Sequence, residues 1–281
     1  MKSYDIQKID ELYELSKKIR RKSLEMALSA GNSGSHVGGS FSCIEIFAVL
    51  YGAVMKYDVN HPSDRNSDHF IASKTHCILS NYSALALSGF FPVEQLHSFH
   101  ENDGLLAGKP FHPAIGLEFT GGALGMGLSV GIGMAIAAKR DNIDNTTYVL
   151  LGDGECDEGS VWEGFLSAAQ FKLDNLAAVI DYNNMQYDGP SEDILSLKPL
   201  DEKLRSFGWE TVTVNGHSIE QLMDAFLMPH QGKPLAIIAK TVKGHGIARI
   251  ENKAESHFTS ITQEDYDLAV KELEEGKYDR V

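Results

Sequence analysis

The stretch LLGDGECDEG at residues 150–159 is followed, one crossover later, by DYNNM at residues 181–185. Each stretch closes a short apolar run, 148–151 and 176–181, of the kind that forms a buried strand. Open α/β sheets bind their ligands at the carboxyl ends of strands, which is where Asp153 and Asn183 would then lie. Glycines on both sides of Asp153 allow a backbone to approach a bulky anion closely. These two stretches therefore predict a ligand site between two neighbouring strand ends.

The side chains at these strand ends favour a divalent metal. An Asp carboxylate, an Asn amide oxygen and a nearby main-chain carbonyl are hard oxygen ligands that suit Mg²⁺ or Ca²⁺. Phosphate oxygens and water commonly fill the remaining positions around such a metal. Taken alone, Gly152-Asp153-Gly154 would indicate no more than a tight turn, because short motifs match by chance. The second stretch, correctly placed after the next strand, favours the metal site.

The composition excludes several classes of partner and site. A net charge of -14 over 281 residues argues against nucleic acid and anionic membranes as partners, since both attract basic surfaces. The three cysteines, Cys43, Cys77 and Cys156, have no CxxC spacing and are interpreted as reduced thiols rather than a disulfide framework or a zinc site. No repeat, linker or low-complexity tract divides the chain. We therefore expect one domain over residues 1–281.

Two observations concern location. The amino-terminal residues lead into a charged amphipathic helix rather than a secretory signal, and the expected compartment is the cytoplasm. Residues 121–138 carry no charge and are long enough to raise the question of a membrane span. Their many glycines and alanines are instead typical of a closely packed helix at a subunit contact. No membrane association is expected.

The paired stretches resemble the diphosphate-binding motif of thiamine diphosphate enzymes. The resemblance implies that Asp153, Asn183 and the main-chain carbonyl of Met185 bind Mg²⁺ (or Ca²⁺), and that the metal holds the diphosphate of thiamine diphosphate. More of the chain resembles the transketolase family in particular. The resembling segments are GSHVGGS at 34–40, DHFIASKTH at 68–76, TGGALGMG at 120–127 and KTVKGHG at 240–246. Two of these segments are altered relative to the family, since Ser35 and Thr75 stand where the family has glycine.

The transketolase resemblance implies a set of site residues. It assigns catalytic roles to His36, His76, Lys109 and His257, which would line the substrate side of the cofactor, and to Glu158. The resemblance also implies cofactor contacts by Gly122, Leu124, Gly152, Asp153, Gly154, Glu155, Asn183, His36, His76 and His257. Glu158 matches a family glutamate in a hydrogen-bond network between two active-site halves, although an acidic first-turn residue is favoured by the helix dipole in any case. His217, beside the helix-start pattern Ser218–Gln221, is interpreted as structural.

Lys109 is the clearest departure from the family. It lies in the loop 103–113, where transketolases usually carry Gly-His-Pro and use that histidine near the substrate. A lysine is a compact permanent cation, unlike a titratable imidazole ring. His112 lies three residues further on, but spacing does not show whether it replaces the missing ring. Lys109 therefore favours a specialised ketose donor.

The resemblance covers only the amino-terminal, diphosphate-binding domain of transketolases. It implies an α/β fold with a mostly parallel twisted sheet and helices on both faces. It also implies one subunit of a split transketolase, completed by a carboxy-terminal subunit with the pyrimidine-binding domain, in an α2β2 assembly. Such an enzyme transfers a two-carbon ketol unit from a ketose, phosphorylated or otherwise modified, to an aldose.

Three alternatives remain at the level of sequence. One is a subunit of another thiamine diphosphate enzyme, similar to 1-deoxyxylulose-5-phosphate synthase or to 2-oxo acid dehydrogenases. Another is a non-catalytic binding or regulatory subunit of the same fold, for which Ser35, Thr75 and Lys109 are the evidence. The third is a nucleotide-binding α/β protein, disfavoured because neither GxGxxG nor a P-loop follows a strand.

Overall fold

A computed structural model describes residues 5–101, 104–106, 112–278 and 280. Within these residues, five strands form one sheet in which every neighbouring pair is parallel, in the order β1-β2-β3-β5-β4. The strands are β1 His69–Ala72, β2 Thr147–Gly152, β3 Leu176–Tyr182, β4 Glu210–Asn215 and β5 Leu235–Lys240. The buried runs predicted at 148–151 and 176–181 are β2 and β3, paired so that Gly152 lies opposite Asp181.

Helices cover both faces of the sheet, as predicted. They are α1 Ile6–Ser29, α2 Val37–Phe41, α3 Ile44–Val49, α4 Ile78–Leu87, α5 Gly127–Asp141, α6 Gly159–Gln170, α7 Ser191–Ile194, α8 Leu200–Ser206, α9 Ile219–Phe226 and α10 Gln263–Glu274. Successive strand residues point to opposite faces, so each strand contributes to two cores. Leu150 and Val179 pack in the core formed with α1, α3, α4 and α9. Val149 and Ile180 pack in the core formed with α5, α6 and α8.

Parallel pairing brings the carboxyl ends of the strands to one edge of the sheet. Ser73 follows β1, Asp153 follows β2, Asn183 follows β3 and Thr241 follows β5. Because β2, β3 and β5 are neighbours in the sheet, the residues that follow them lie side by side. The sheet order thus joins segments that are about ninety residues apart in sequence, from residue 153 to residue 241. This edge carries the candidate site.

Two apolar segments form shorter regular α-helices than their length would allow. The apolar segment 42–57 is the short helix α3 followed by a π-helical turn at Leu50–Val54. Gly52 packs there against Leu12 of α1, where an added Cβ would lie 2.4 Å from the leucine side chain. The uncharged segment 121–138 becomes helical only at Gly127, because Gly122 and Gly125 have φ angles of 141° and 82°. Left-handed backbone at these glycines makes a turn instead of a helix.

The remaining expectations concern cysteines and membranes. Cys43, Cys77 and Cys156 are free and buried, as predicted. Across the described part of the chain, no helix has both the length and the apolar composition needed to cross a bilayer.

Candidate functional site

A cavity of about 130 Å³ lies at the carboxyl ends of β1, β2, β3 and β5. Residues predicted from the sequence that line it are Leu124, His76, Gly152, Asp153, Gly154, Glu155, Asn183, Met185 and His257. Further lining residues are Gly39, Lys74, Gln186, Tyr187 and Lys243. The cavity thus combines the predicted metal ligands with two of the predicted histidines, which lie far apart in the sequence.

Asp153 lies at the wall of this cavity and is 3% exposed. Its carboxylate accepts hydrogen bonds from the backbone N–H of Gly154 at 2.9 Å and from Ser191 Oγ at 3.3 Å. Burial, together with the nearby Asp181 carboxylate, raises the pKa of Asp153 to about 6. Among the described residues no lysine or arginine forms an ion pair with this carboxylate. A buried carboxylate of this kind is stabilised by a cation, which is what a metal would supply.

The amide of Asn183 is oriented by its neighbours. Its Nδ2 donates to the Asp181 carboxylate at 3.3 Å, and its Oδ1 accepts from the backbone N–H of Met185 at 3.1 Å. Because Asp181 can only accept, the amide nitrogen must face it and the oxygen is available on the other side. Asp153, Asn183 and the Met185 carbonyl thus offer the hard oxygen atoms that Mg²⁺ and Ca²⁺ prefer.

The candidate metal site depends on a single carboxylate. Among residues 5–101, 104–106, 112–278 and 280, no group of three or more His, Cys, Asp and Glu side chains could hold a metal. Asp153 is accompanied instead by neutral oxygen donors. Magnesium commonly binds through one or two carboxylates plus substrate phosphates and water. The donor set therefore fits a metal that is completed by a diphosphate.

Glu155 ties the site to the neighbouring glycine turn. Its carboxylate accepts from the backbone N–H of Gly125 at 2.9 Å, from the backbone N–H of Gly152 at 3.1 Å and from the Ser73 hydroxyl. Ser73 Oγ in turn accepts from the backbone N–H of Gly127, the first residue of α5, at 3.1 Å. These contacts fix the end of β2 and the start of α5 relative to each other. Glu155 thus holds together the loops at this edge of the cavity.

Three imidazole rings lie together beside the metal ligands. The ring centroids of His36 and His76 are 6.0 Å apart, those of His36 and His257 5.4 Å, and those of His76 and His257 5.2 Å. The transketolase resemblance implied this grouping, because it placed all three histidines on the substrate side of the cofactor. Burial, with Lys74 and the other two imidazoles adding to it, holds the pKa of His76 well below its usual range. Burial and the Lys243 ammonium lower the pKa of His257 to about 4.

Lys243 is a site residue that sequence reasoning missed. It is 2% exposed, and its Nζ donates to the main-chain carbonyls of Met185 and Gln186, each at 3.0 Å. Burial, reinforced by Lys74, lowers the pKa of Lys243 to about 8. A carbonyl oxygen has two lone pairs, so the contact leaves Met185 able to bind a metal. The ammonium places a positive charge in the cavity, suited to an anion. The only sequence signal was a basic residue just after a strand end.

Lys74, which lines the cavity, forms a buried ion pair with Asp181. Lys74 Nζ also donates to the carbonyl of Gly39 at 2.9 Å, and Asp181 accepts from Ser42 Oγ at 2.5 Å and from the hydroxyl of Thr241. Burial alone would raise the pKa of Asp181, but Lys74 and these hydroxyls together hold it below its usual range. The pair links α2, β1, β3 and the end of β5 under the metal ligands.

Some predicted residues lie outside the cavity lining. Gly122 and Glu158 do not line it, and Glu158 is exposed on the adjoining surface. His36 reaches the site through its ring contacts with the other two histidines. Lys109 lies outside the described residues, so its predicted role stays a prediction.

Two larger concavities lie elsewhere on the molecule. One, of about 410 Å³, includes Trp162 and Phe207, and the other, of about 460 Å³, includes Lys198 and Lys240. Neither is lined by a fully buried charged side chain. Buried, perturbed ionisable groups in a cleft are characteristic of functional sites, which favours the smaller cavity.

The neutral histidines make the stability of the chain sensitive to acid. The unfolded chain takes up protons on histidines near pH 6.5, whereas His76 and His257 resist protonation in the folded chain. Stability is therefore lost as the pH falls below about 6.5. Between pH 7 and pH 5, we expect His76 to lower the free energy of unfolding by up to about 2 kcal/mol. We expect a smaller loss from His257, because it is partly exposed and screened by solvent. The measurement is urea unfolding at both pH values.

The matched comparison separates these histidines from general acid effects. The double variant His76→Asn and His257→Asn should lose less stability between pH 7 and pH 5 than the wild type. The variant His97→Asn, which changes an exposed histidine away from the cavity, should behave like the wild type. If all three proteins lost the same free energy of unfolding between pH 7 and pH 5, the neutral state of His76 and His257 would be contradicted.

Comparisons with known proteins identify related sequences. The sequence model for "Transketolase, thiamine diphosphate binding domain" matches residues 14–275. The 6-deoxy-6-sulfo-D-fructose transketolase subunit SqwG of Clostridium sp. (strain MSTE9) is 40% identical over 85% of this chain and 88% of its own. An apulose-4-phosphate transketolase subunit of Phocaeicola vulgatus is 37% identical over 95% of both chains.

A solved structure shows the same fold. The transketolase of Campylobacter jejuni superposes with a TM-score of 0.85 at 25% identity, over 96% of this chain and 43% of that one. The chain thus spans less than half of that longer protein, while it matches nearly the full length of the two relatives that are named as subunits. On this evidence the chain belongs to the transketolase family, as a thiamine diphosphate-binding domain.

Proposed function

We propose that this chain is the diphosphate-binding subunit of a two-subunit transketolase that transfers a two-carbon ketol unit from a modified or phosphorylated ketose to an aldose. The observation that carries the proposal is the buried Asp153 carboxylate, which has no ion-pair partner among the described residues and lies beside Asn183 and the Lys243 ammonium in one cavity. The two relatives named as transketolase subunits support the division into two chains. Their names, with a sulfonated and a phosphorylated sugar, support a modified ketose as the donor.

The residues of the cavity fit a metal-bound diphosphate. Asp153, Asn183 and the Met185 carbonyl would hold Mg²⁺ or Ca²⁺, and the Lys243 ammonium would offset further negative charge of the diphosphate. When bound, thiamine diphosphate supplies the carbon nucleophile and the electron sink for cleaving the bond next to a ketose carbonyl. The protein supplies the orientation of the diphosphate and the environment of the donor sugar.

The imidazole cluster would bind the donor sugar. A neutral imidazole has one N–H donor and one acceptor nitrogen, so the rings of His76 and His257 can pair with sugar hydroxyl groups in either direction, with the His36 ring lying against both. Because the pKa values of His76 and His257 lie low, these two rings remain neutral at pH 7 and can accept as well as donate. Lys109 would act on the donor as well, which fits a sugar that carries an extra anionic group.

The partner would cover an exposed apolar strip beside the cavity. Leu124, Met126 and Val130 are 38%, 52% and 37% exposed, and Leu124 also lines the cavity. Glu158 is exposed next to this strip, since an added Cβ on Gly125 would lie 2.8 Å from the Glu158 side chain. A partner seated on the strip would remove its apolar surface from water and close the cavity at the same time. We propose that this partner is the carboxy-terminal transketolase subunit, in an α2β2 assembly.

Charged substitutions on the strip test this interface. Met126→Glu combined with Val130→Glu should weaken association with the carboxy-terminal subunit by about tenfold or more, because a charge would be buried without a partner. Both positions lie near the start of α5, where glutamate is favoured by the helix dipole, so the chain should fold normally. The measurement is analytical ultracentrifugation of the mixed subunits.

The matched control lies on another face. Leu268 of α10 is 46% exposed, and Leu268→Glu should leave association unchanged. Equal association of both variants and the wild type would contradict the proposed interface.

The activity itself is tested by reconstitution. The chain is mixed with a carboxy-terminal subunit, thiamine diphosphate and Mg²⁺, and assayed for aldose-dependent cleavage of phosphorylated and sulfonated ketoses. We expect turnover only when both chains and the cofactor are present. If the mixture binds the cofactor but shows no turnover, the non-catalytic alternative would be favoured.

A further inference from the structure

A second cluster of buried ionisable side chains lies outside the cofactor cavity. Arg20 of α1, Glu45 of α3, His217 after β4 and His245 after β5 are all between 2% and 6% exposed. None of them lines the cavity within the described residues. Burying such groups is costly unless each one is paired, so the cluster calls for a physical explanation.

Glu45 is the centre of the cluster. One carboxylate oxygen accepts from the Arg20 guanidinium, and the other pairs with His217 Nδ1 at 2.9 Å. Burial alone would raise the pKa of Glu45, but Arg20 and His217 together lower it to about 2. The carboxylate is therefore ionised at any physiological pH. It provides a fixed acceptor for both of its partners.

The second ring nitrogen of His217 determines its tautomer. The backbone N–H of Val242 donates to His217 Nε2 at 2.9 Å. A nitrogen that accepts a hydrogen bond carries no proton, so the proton of the neutral ring lies on Nδ1 and is donated to Glu45. His217 thus connects a buried carboxylate to the main chain of Val242. The residue after Val242 is Lys243, whose ammonium lies in the cavity.

Residues 242–245 form a turn, and the cluster that contacts Val242 at its start also contacts His245 at its end. The Arg20 guanidinium donates to the main-chain carbonyl of His245, and the His245 ring lies 3.9 Å from the His217 ring. His245 Nδ1 is 2.8 Å from a Glu251 carboxylate oxygen. In the middle of the turn, Gly244 has a φ of 72° and donates its N–H to the carbonyl of Gly38 at 3.0 Å.

We propose that Arg20, Glu45 and His217 form a positioning unit that fixes the 242–245 turn and thereby holds the Lys243 ammonium in the cavity. His217 touches neither the cavity nor the predicted metal ligands, so it acts through Val242 and Lys243. A turn of four residues with a left-handed glycine has several accessible conformations, and a lysine side chain has many rotamers. Holding both ends of the turn before the ligand arrives reduces the entropy lost when the anion binds. The identity of that anion as the cofactor diphosphate rests on the proposed function.

The first test measures the turn without any ligand. His217→Phe keeps the ring shape and removes the acceptor for Val242 N–H. Hydrogen exchange followed by mass spectrometry should show at least about tenfold faster exchange in a peptide covering 241–247, with the peptides of β2 and β3 unchanged. His217→Gln, whose amide oxygen can accept from Val242, should restore most of the protection. Unchanged exchange in His217→Phe would overturn the proposal, as would equal loss in a folded His217→Gln.

The second test links the unit to Lys243. Thiamine diphosphate affinity with Mg²⁺ is measured by calorimetry on the assembled two-subunit complex for wild type, His217→Phe, Lys243→Met and the double variant. We expect His217→Phe to weaken binding about tenfold, Lys243→Met by at least as much, and the double variant no more than Lys243→Met alone. Effects that multiply in the double variant would overturn the proposal.

The two tests fail in different ways. If the wild-type complex does not bind thiamine diphosphate, the proposed function fails, while the exchange experiment still decides whether His217 fixes the turn. If the wild type binds and His217→Phe binds equally well, the proposed function stands and the positioning unit is rejected.

Discussion

Replacing Asp153 with asparagine is expected to weaken metal-dependent binding of thiamine diphosphate by about a hundredfold or more. The substitution keeps the shape of the side chain and removes its negative charge. Asp153 is the one carboxylate in the predicted metal site, and the other predicted donors are neutral oxygen atoms. The affinity is measured by calorimetric titration of the assembled complex in the presence of Mg²⁺.

The same substitution should not unfold the protein. In the metal-free chain the pKa of Asp153 is raised from 3.8 to about 6. Ionisation of this carboxyl therefore lowers the free energy of unfolding as the pH rises between these two values, and the loss is complete above about pH 6. The amide of the Asp153→Asn variant has no charge to bury, and the free energy of unfolding at pH 7.5 should be equal to or higher than that of wild type, by up to about 3 kcal/mol. Asp157→Asn, four residues away and half-buried, is the control and should leave cofactor affinity within about twofold. Unchanged affinity in Asp153→Asn would rule out the proposed metal site.

Replacing Lys74 with methionine is expected to lower the free energy of unfolding by about 3–5 kcal/mol. Lys74 and Asp181 are both fully buried and directly paired, so removing the lysine leaves a carboxylate buried without its cation. The hydroxyl groups of Ser42 and Thr241 still donate to Asp181 but carry no charge. Urea unfolding of the chain measures the loss.

The chain contains a matched control for this ion pair. Lys139 and Asp174 also join two elements through a lysine–aspartate pair, but both side chains are more than 30% exposed. Lys139→Met should therefore cost no more than about 1 kcal/mol. If Lys74→Met and Lys139→Met lowered the free energy of unfolding by similar amounts, burial would not make the Lys74–Asp181 pair more stabilising than an exposed pair.

Local signals in the sequence were enough to predict β2 and β3 and to place Asp153 and Asn183 at their carboxyl ends. An apolar run that stops at Gly152 is a property of a few neighbouring residues, and β2 ends at that glycine. Likewise, the apolar run at 176–181 is β3, which ends at Tyr182 directly before Asn183. The placement of both at one edge of the sheet followed from the rule for parallel strands joined by a helix.

The interior charges could not be predicted in the same way. Lys74 and Asp181 meet across 107 positions of sequence, and Lys243 reaches the carbonyl of Met185 across 58. Burial and pairing of such groups are consequences of the folded sheet order, in which β5 lies between β3 and β4. His217 was interpreted as structural because of the adjacent helix start, and its contacts with Glu45 and Val242 depend on elements that the local sequence does not specify. The single-domain boundary at 1–281 stays a prediction.

The central claim is that this chain binds thiamine diphosphate as half of a split transketolase. The most direct measurement is calorimetric titration of thiamine diphosphate with Mg²⁺ into the chain alone and into the chain mixed with a carboxy-terminal transketolase subunit. We predict tight binding in the mixture, weak or no binding to the chain alone, and loss of binding in the mixture when Mg²⁺ is removed. Absence of binding in the mixture, for a carboxy-terminal subunit that associates with the chain, would contradict the claim.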